Sequence, residues 1–159
     1  MGDDEYAAQA YRTAGLEEVT IRLRLGGTAR KRGDWTSAKQ HYEAARRHSP
    51  SDPRIVNALG EVQLFEGHIQ QVLGSFRSAA RLDPTYASAY VNIGLAHLKN
   101  SGRTREAVAA LERAADLSPT GKVWGLLGWA YDQQGDVEEA IRAYSRAIEL
   151  APDNAERYH

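Results

Sequence analysis

A chain of 159 residues, 42% hydrophobic and 26% charged, is long enough for one domain with its own core. Its formal net charge of −1 makes the molecule as a whole no electrostatic target for nucleic acid or an anionic membrane surface. The absence of cysteine excludes disulfides, thiol catalysis and cysteine-ligated zinc or iron–sulfur sites.

The first twelve residues, MGDDEYAAQAYR, are acidic and polar. They lack the basic start and apolar middle of a secretory signal. No apolar run approaches the roughly 20 residues that span a bilayer. The expectation is a cytoplasmic protein that inserts in no membrane. Residues 3–15, DDEYAAQAYRTAG, predict a first helix, with acids leading and Gly15 closing it. Residues 1–18 are read as an N-terminal capping helix or half-repeat.

Beyond residue 18 the chain repeats itself. Pro50, Pro84, Pro119 and Pro152 stand 34, 35 and 33 residues apart. Gly26, Gly60, Gly94 and Gly128 stand 34 apart throughout. Tyr42, Phe76, Leu111 and Tyr144 form a column of large side chains, each three residues before Ala45, Ala79, Ala114 or Ala147. Four residues before each large side chain comes Ala38, Val72, Ala107 or Ala140. The periodicity predicts helices over 19–32, 35–48, 53–66, 69–82, 87–100, 104–117, 121–134 and 137–150. Asp52-Pro53 reads as an N-cap followed by proline at the first helical position. The units are 19–52, 53–86, 87–120 and 121–154. Residues 155–159 begin a truncated further helix, with Tyr158 placed 34 residues after Trp124.

Each column has a physical reason. A glycine on the first helix of a unit lets the second helix cross it closely, and the alanines do the same from the other side. Aromatic residues fill the gaps between these contacts. The proline stops the second helix because it cannot continue the hydrogen-bond ladder.

The last unit reads GKVWGLLGWAYDQQGDVEEAIRAYSRAIELAPDN, Gly121 to Asn154. With Trp124, Leu127, Gly128, Tyr131, Gly135, Ala140, Tyr144, Ala147 and Pro152 it resembles the tetratricopeptide repeat in every column of that family's pattern. The other units match in fewer columns but in phase. The resemblance implies an all-α fold: a right-handed superhelical α-solenoid of antiparallel helix pairs. It also implies that the first helix of each unit lines a concave surface that binds protein.

The positions expected to face that surface include Arg24, Arg30 and Lys31 in the first unit, and Arg54, Asn57, Glu61 and Phe65 in the second. They include Asn92, Leu95 and Lys99 in the third, and Lys122, Leu126, Trp129 and Asp132 in the fourth. Six bases against two acids make the face positive, while Phe65, Leu95, Leu126 and Trp129 give it an apolar strip. The candidate peptide-binding set is therefore Arg24, Arg54, Asn57, Glu61, Phe65, Asn92, Leu95, Lys99, Lys122, Leu126 and Trp129. Some relatives clamp the C-terminal carboxylate of heat-shock chaperones. Asn92 and Lys122 match that clamp, but Asn57, Glu61 and Leu126 replace its other members, and the acid argues against it.

Catalytic constellations are missing from the pattern. His41, His48, His68, His97 and His159 form no pair at helical spacing. Leu25-Gly26-Gly27-Thr28 is the repeat glycine with a neighbour, not a phosphate cradle. His97 takes the place of the family's tyrosine and is expected to pack. Arg32-Gly33-Asp34 is read as the turn inside the first unit, not an adhesion signal. The expectation is a non-enzymatic interaction scaffold, without cofactor or metal, holding a partner peptide or helix that carries an acidic segment. The alternatives are a homo-oligomer formed through the terminal repeats, or a docking or regulatory arm of a larger enzyme.

Overall fold

The structure is a computed structural model that describes residues 2–13, 15–99 and 103–150. Among them are nine α-helices and no strand: α1 (Gly2–Thr13), α2 (Glu18–Lys31), α3 (Trp35–His48), α4 (Pro53–Phe65), α5 (Ile69–Leu82), α6 (Ala87–Lys99), α7 (Thr104–Leu117), α8 (Gly121–Gln134) and α9 (Val137–Leu150). The eight helices predicted from the repeat are all present, and no end moves by more than one residue. The first helix stops at Thr13, two residues short of the expected Gly15. The further helix expected at 155–159 lies outside the described residues.

Local chemistry explains where the helices begin and end. Asp34 caps α3, its side chain accepting from Ser37 N at 3.0 Å. Asp52 caps α4, accepting from Arg54 N at 2.9 Å, with Pro53 following as expected. Thr120 caps α8, accepting from Val123 N at 3.3 Å. Gly33 and Gly135 end α2 and α8 at φ values of 79° and 89°, where a side chain would be strained. The next amides, Asp34 N and Asp136 N, reach back to Ala29 O and Tyr131 O at 3.0 Å each. The second helices stop by another route. Ser49 and Ser118, at φ −142° and −149°, leave the helical region and a proline follows.

The chain divides into two compact units, Met1–Leu82 and Asp83–His159. In the first, α2 and α3 form an antiparallel pair, and α3 packs on α4 through Ala38, Tyr42, Ala45, Ile55, Ala58, Leu59 and Val62. Helix α1 lies on α2 through Ala8, Ile21 and Leu25. In the second, α6 pairs with α7 and α8 with α9. Val108, Leu111, Ala114, Ala115, Val123, Leu127 and Ala130 form its core.

The glycine column sits where the sequence placed it. A Cβ built on Gly60 would stand 2.6 Å from Phe76, one on Gly94 2.6 Å from Leu111, and one on Gly128 2.8 Å from Tyr144; Gly26 meets Tyr42 in the same way. The glycine of each first helix is thus filled by the large residue of its own second helix. His97 is 2% exposed, at the α6 position that Tyr131 occupies in α8, so it packs more deeply than its half-buried expectation.

Candidate docking faces on the first helices

The first-helix positions of the two units differ in what they leave open. In the first unit most of the expected bases are already engaged. The Arg24 guanidinium lies 5.7 Å from the centre of the Tyr11 ring, which holds α1 to α2. Arg30 Nε stands 3.3 Å from Glu61 Oε2, joining α2 to α4. Arg54 turns back on its own N-cap, with Nη2 2.6 Å from Asp52 Oδ2. That hydrogen bond, reinforced by the Arg54 amide and charge, holds the Asp52 carboxyl below the usual carboxylate range despite partial burial.

Asn57 was expected on an open face but is 3% exposed. Its amide donates to Glu61 Oε1 at 3.3 Å, so it braces the acid that holds Arg30. Phe65 is 61% exposed, yet one ring face is covered. It stacks on Trp35 with centroids 4.5 Å apart and planes inclined by 11°. Beside that stack Lys39 Nζ donates to Glu66 Oε1 at 2.7 Å. Of the first unit's expected bases, Lys31 is exposed and forms no ion pair among the described residues.

The second unit keeps more of its expected face open. On α6, Asn92 and Leu95 are half-buried and Lys99 is exposed. On α8, Lys122 is exposed, Leu126 is half-buried against the core, and Trp129 is 39% exposed and outside that core. Lys122, Leu126 and Trp129 follow a 4-3 spacing and share one face of α8. Lys99 and Lys122 form no ion pair among the described residues. Asp132 is exposed one turn beyond Trp129. On the outer side of the same helix, the Tyr131 hydroxyl donates to Glu112 Oε1 at 2.6 Å. Burial and that carboxylate push its pKa far above the usual phenol value.

Among the described residues no three His, Asp or Glu side chains gather as a metal site would require. No helix of these residues is long and apolar enough to cross a membrane. Sequence reasoning missed the Trp35–Phe65 stack, because the two residues come from different repeats. It named Tyr144 as a packing residue but not the exposed row it belongs to on α9, with Val137, Ile141 and Ile148. Its signal was available, since three of these positions align with buried residues of α7.

A family model described as "Tetratricopeptide repeat" matches residues 23–68, 66–121 and 98–155. Protein O-mannosyl-transferase TMTC3 of Mus musculus is 25% identical over 147 residues, which are 82% of this chain and 16% of that protein. The probable UDP-N-acetylglucosamine--peptide N-acetylglucosaminyltransferase SPINDLY of Hordeum vulgare is 26% identical over 152 residues, covering 91% of this chain and 16% of that protein. The chain therefore spans about a sixth of the length of these curated relatives. A crystal structure of MamA superposes with a TM-score of 0.71 at 24% identity, over 98% of this chain and 92% of that one. That likeness is one of fold.

Proposed function

The chain belongs to the tetratricopeptide repeat family, and from that premise we propose that it is a non-catalytic scaffold that holds a partner segment on the first-helix face of its second unit. Arrays of such repeats are protein-interaction scaffolds. The observation that carries the proposal is Trp129. An indole left 39% exposed outside the core, with Lys122 two turns before it on the same face, has the make-up of an interface anchor. Lys99 and Lys122 favour an acidic segment, while Leu95 and Leu126 offer a half-buried apolar floor. In the first unit, Arg24, Arg30 and Arg54 serve the fold, so basic character is more available on the second.

The test is an array of extended 12-mer peptides in acidic, neutral and basic versions, probed with the chain and with Trp129→Ala. Capture of acidic apolar peptides that falls in the variant supports the reading. Equal capture by both proteins removes it.

The transferase relatives favour a second reading, in which this chain is the docking arm of a larger enzyme. The chain alone would then transfer no sugar, but in excess it would compete for the protein substrate of the intact enzyme. Failure to compete would remove that reading.

A further inference from the structure

Helix α9 carries a row of apolar side chains that the described residues leave open: nothing covers Val137, Ile141 and Ile148, and Tyr144, whose ring lies against Gly128, stays partly exposed. Val137, Ile141, Tyr144 and Ile148 are 61%, 61%, 39% and 60% exposed. Their 4-3-4 spacing puts them on one face. Apart from the Tyr144 ring, the row lies off the face that α9 turns to α8, where Ala140 and Ala143 are buried. Helix α7 shows what such a face is shaped for. Val108, Leu111 and Ala115 stand 33 residues before Ile141, Tyr144 and Ile148, and they are 8%, 0% and 5% exposed. They share their cluster with Val123, Leu127 and Ala130 of α8. The face on α9 is therefore built to receive a helix.

We propose that this helix is α9 of a second copy, running antiparallel about a two-fold axis. The spacing 4-3-4 reads the same from either end, which is the self-complementarity that an isologous interface requires. In the antiparallel register Val137 faces Ile148 of the partner subunit, and Ile141 faces Tyr144 of the partner subunit. The first helix of the chain is a poor rival. Helix α1 turns its apolar residues Ala8 and Tyr11 toward α2, and its exposed positions mix Tyr6 and Ala10 with Glu5, Gln9, Arg12 and Thr13. Tyr6 and Ala10 are two exposed apolar residues against the four positions of the α9 row, so a closed pair of α9 helices is the better match than a head-to-tail chain of copies.

Four side chains per copy, with the stems beside them, bury roughly 1,000 Å² over both copies, the low end for a specific pair. Association is accordingly weak and sets in at roughly tens of micromolar. The register has one further consequence. It leaves Glu138, Arg142 and Glu149 on the flank of the row, where Arg142 pairs with Glu138 and Glu139, and Glu149 with Arg146, within each copy. Salt therefore changes the association little.

Light scattering and sedimentation of the chain from about 1 µM to about 500 µM, at low and high salt, test the proposal. The expected result is a monomer–dimer equilibrium that changes little with salt. Ile141→Glu raises the dissociation constant at least about tenfold, the loss expected for burying a charge in place of a methylene-rich side chain. Tyr6→Glu, at an exposed α1 site, leaves it unchanged. Should Ile141→Glu lose helicity, Ile148→Ser decides by the same loss. Because the chain has no cysteine, Val137→Cys mixed with Ile148→Cys reports the register on mild oxidation. A mixed disulfide is expected. A monomer at every concentration, a dimer indifferent to both α9 variants, or preferred Val137→Cys self-disulfides would each overturn the proposal. The first of these is the outcome if residues 151–159 cover the stripe instead.

Discussion

A Cβ on Gly60 would lie 2.6 Å from Cε1 of Phe76, a side chain that is fully buried. Helix α4 therefore carries no side chain where α5 brings its ring. Gly60→Ala forces that ring or the helix axis to move, at a cost of about 1–3 kcal/mol, offset by up to about 1 kcal/mol of helix propensity. Gly27 is the internal control. It also lies within a helix, but a Cβ there meets nothing within 4 Å. Urea unfolding should show Gly60→Ala less stable and Gly27→Ala more stable by up to about 1 kcal/mol. Destabilisation by both would mean that the close approach is not what selects glycine at position 60.

The helices were legible from sequence because their signals are local. A turn glycine, a capping acid and a proline each act within a few residues, and the 34-residue period repeats them in phase. The candidate face was less legible because its chemistry is set across helices. Arg30 and Glu61 lie on α2 and α4, and Trp35 and Phe65 on α3 and α4, so neither pairing has a local signature. Asn57 looked outward by position alone. It is 3% exposed and braced against Glu61, which reaches across to Arg30 of α2. Arg54 is the exception, since its partner Asp52 is two residues away and the pairing could have been read from the cap.

Asp52 predicts a pH dependence. Its folded pKa lies below the ordinary aspartate value of 3.8, chiefly through the Arg54 hydrogen bond. A carboxylate depressed on folding contributes stability that is fully present above its unfolded value and is lost as pH falls through the folded one. The unfolding midpoint should therefore fall below pH 3.8 by more in the native chain than in Asp52→Asn. Parallel curves for the two proteins would assign the acid sensitivity to other carboxylates. At neutral pH Asp52→Ala should cost about 1 kcal/mol through loss of the cap.

Helix α1 is fastened at four points: Arg24 over Tyr11, His41 Nε2 at 3.2 Å from Asp4 Oδ2, Arg12 Nε at 3.5 Å from Glu18 Oε2, and the small cluster of Ala8 with Ile21 and Leu25. Arg24→Ala removes the first, worth about 0.5–1 kcal/mol at an exposed site. Hydrogen exchange of residues 2–13 should accelerate several-fold, while the amides of α4 hold their rates. Unchanged exchange in α1 would return Arg24 to the set of bases available to a ligand.

Trp129 and Lys122 should fail differently. Trp129→Ala should weaken binding of an acidic apolar peptide about tenfold or more at any salt, because it removes buried contact. Lys122→Gln should cost less, and its effect should shrink as salt rises, because an exposed cation acts through a screened field. Fluorescence titration at two ionic strengths separates them, and identical salt slopes would argue against a charge contribution from Lys122.

The contact between Gly128 and Tyr144 joins α8 to α9, and the matching contacts join α2 to α3, α4 to α5 and α6 to α7. Both halves of each fastening lie inside one helix pair. The glycine is constant while its counterpart changes from Tyr42 to Phe76 to Leu111 to Tyr144. A recombination event that moves a whole pair carries the fit with it. One that cuts at an internal turn, as at Gly135, sets a glycine against a ring it was not matched to. The unit of exchange in this protein is therefore the hairpin, a cassette that can be duplicated or replaced while the seam inside it stays intact.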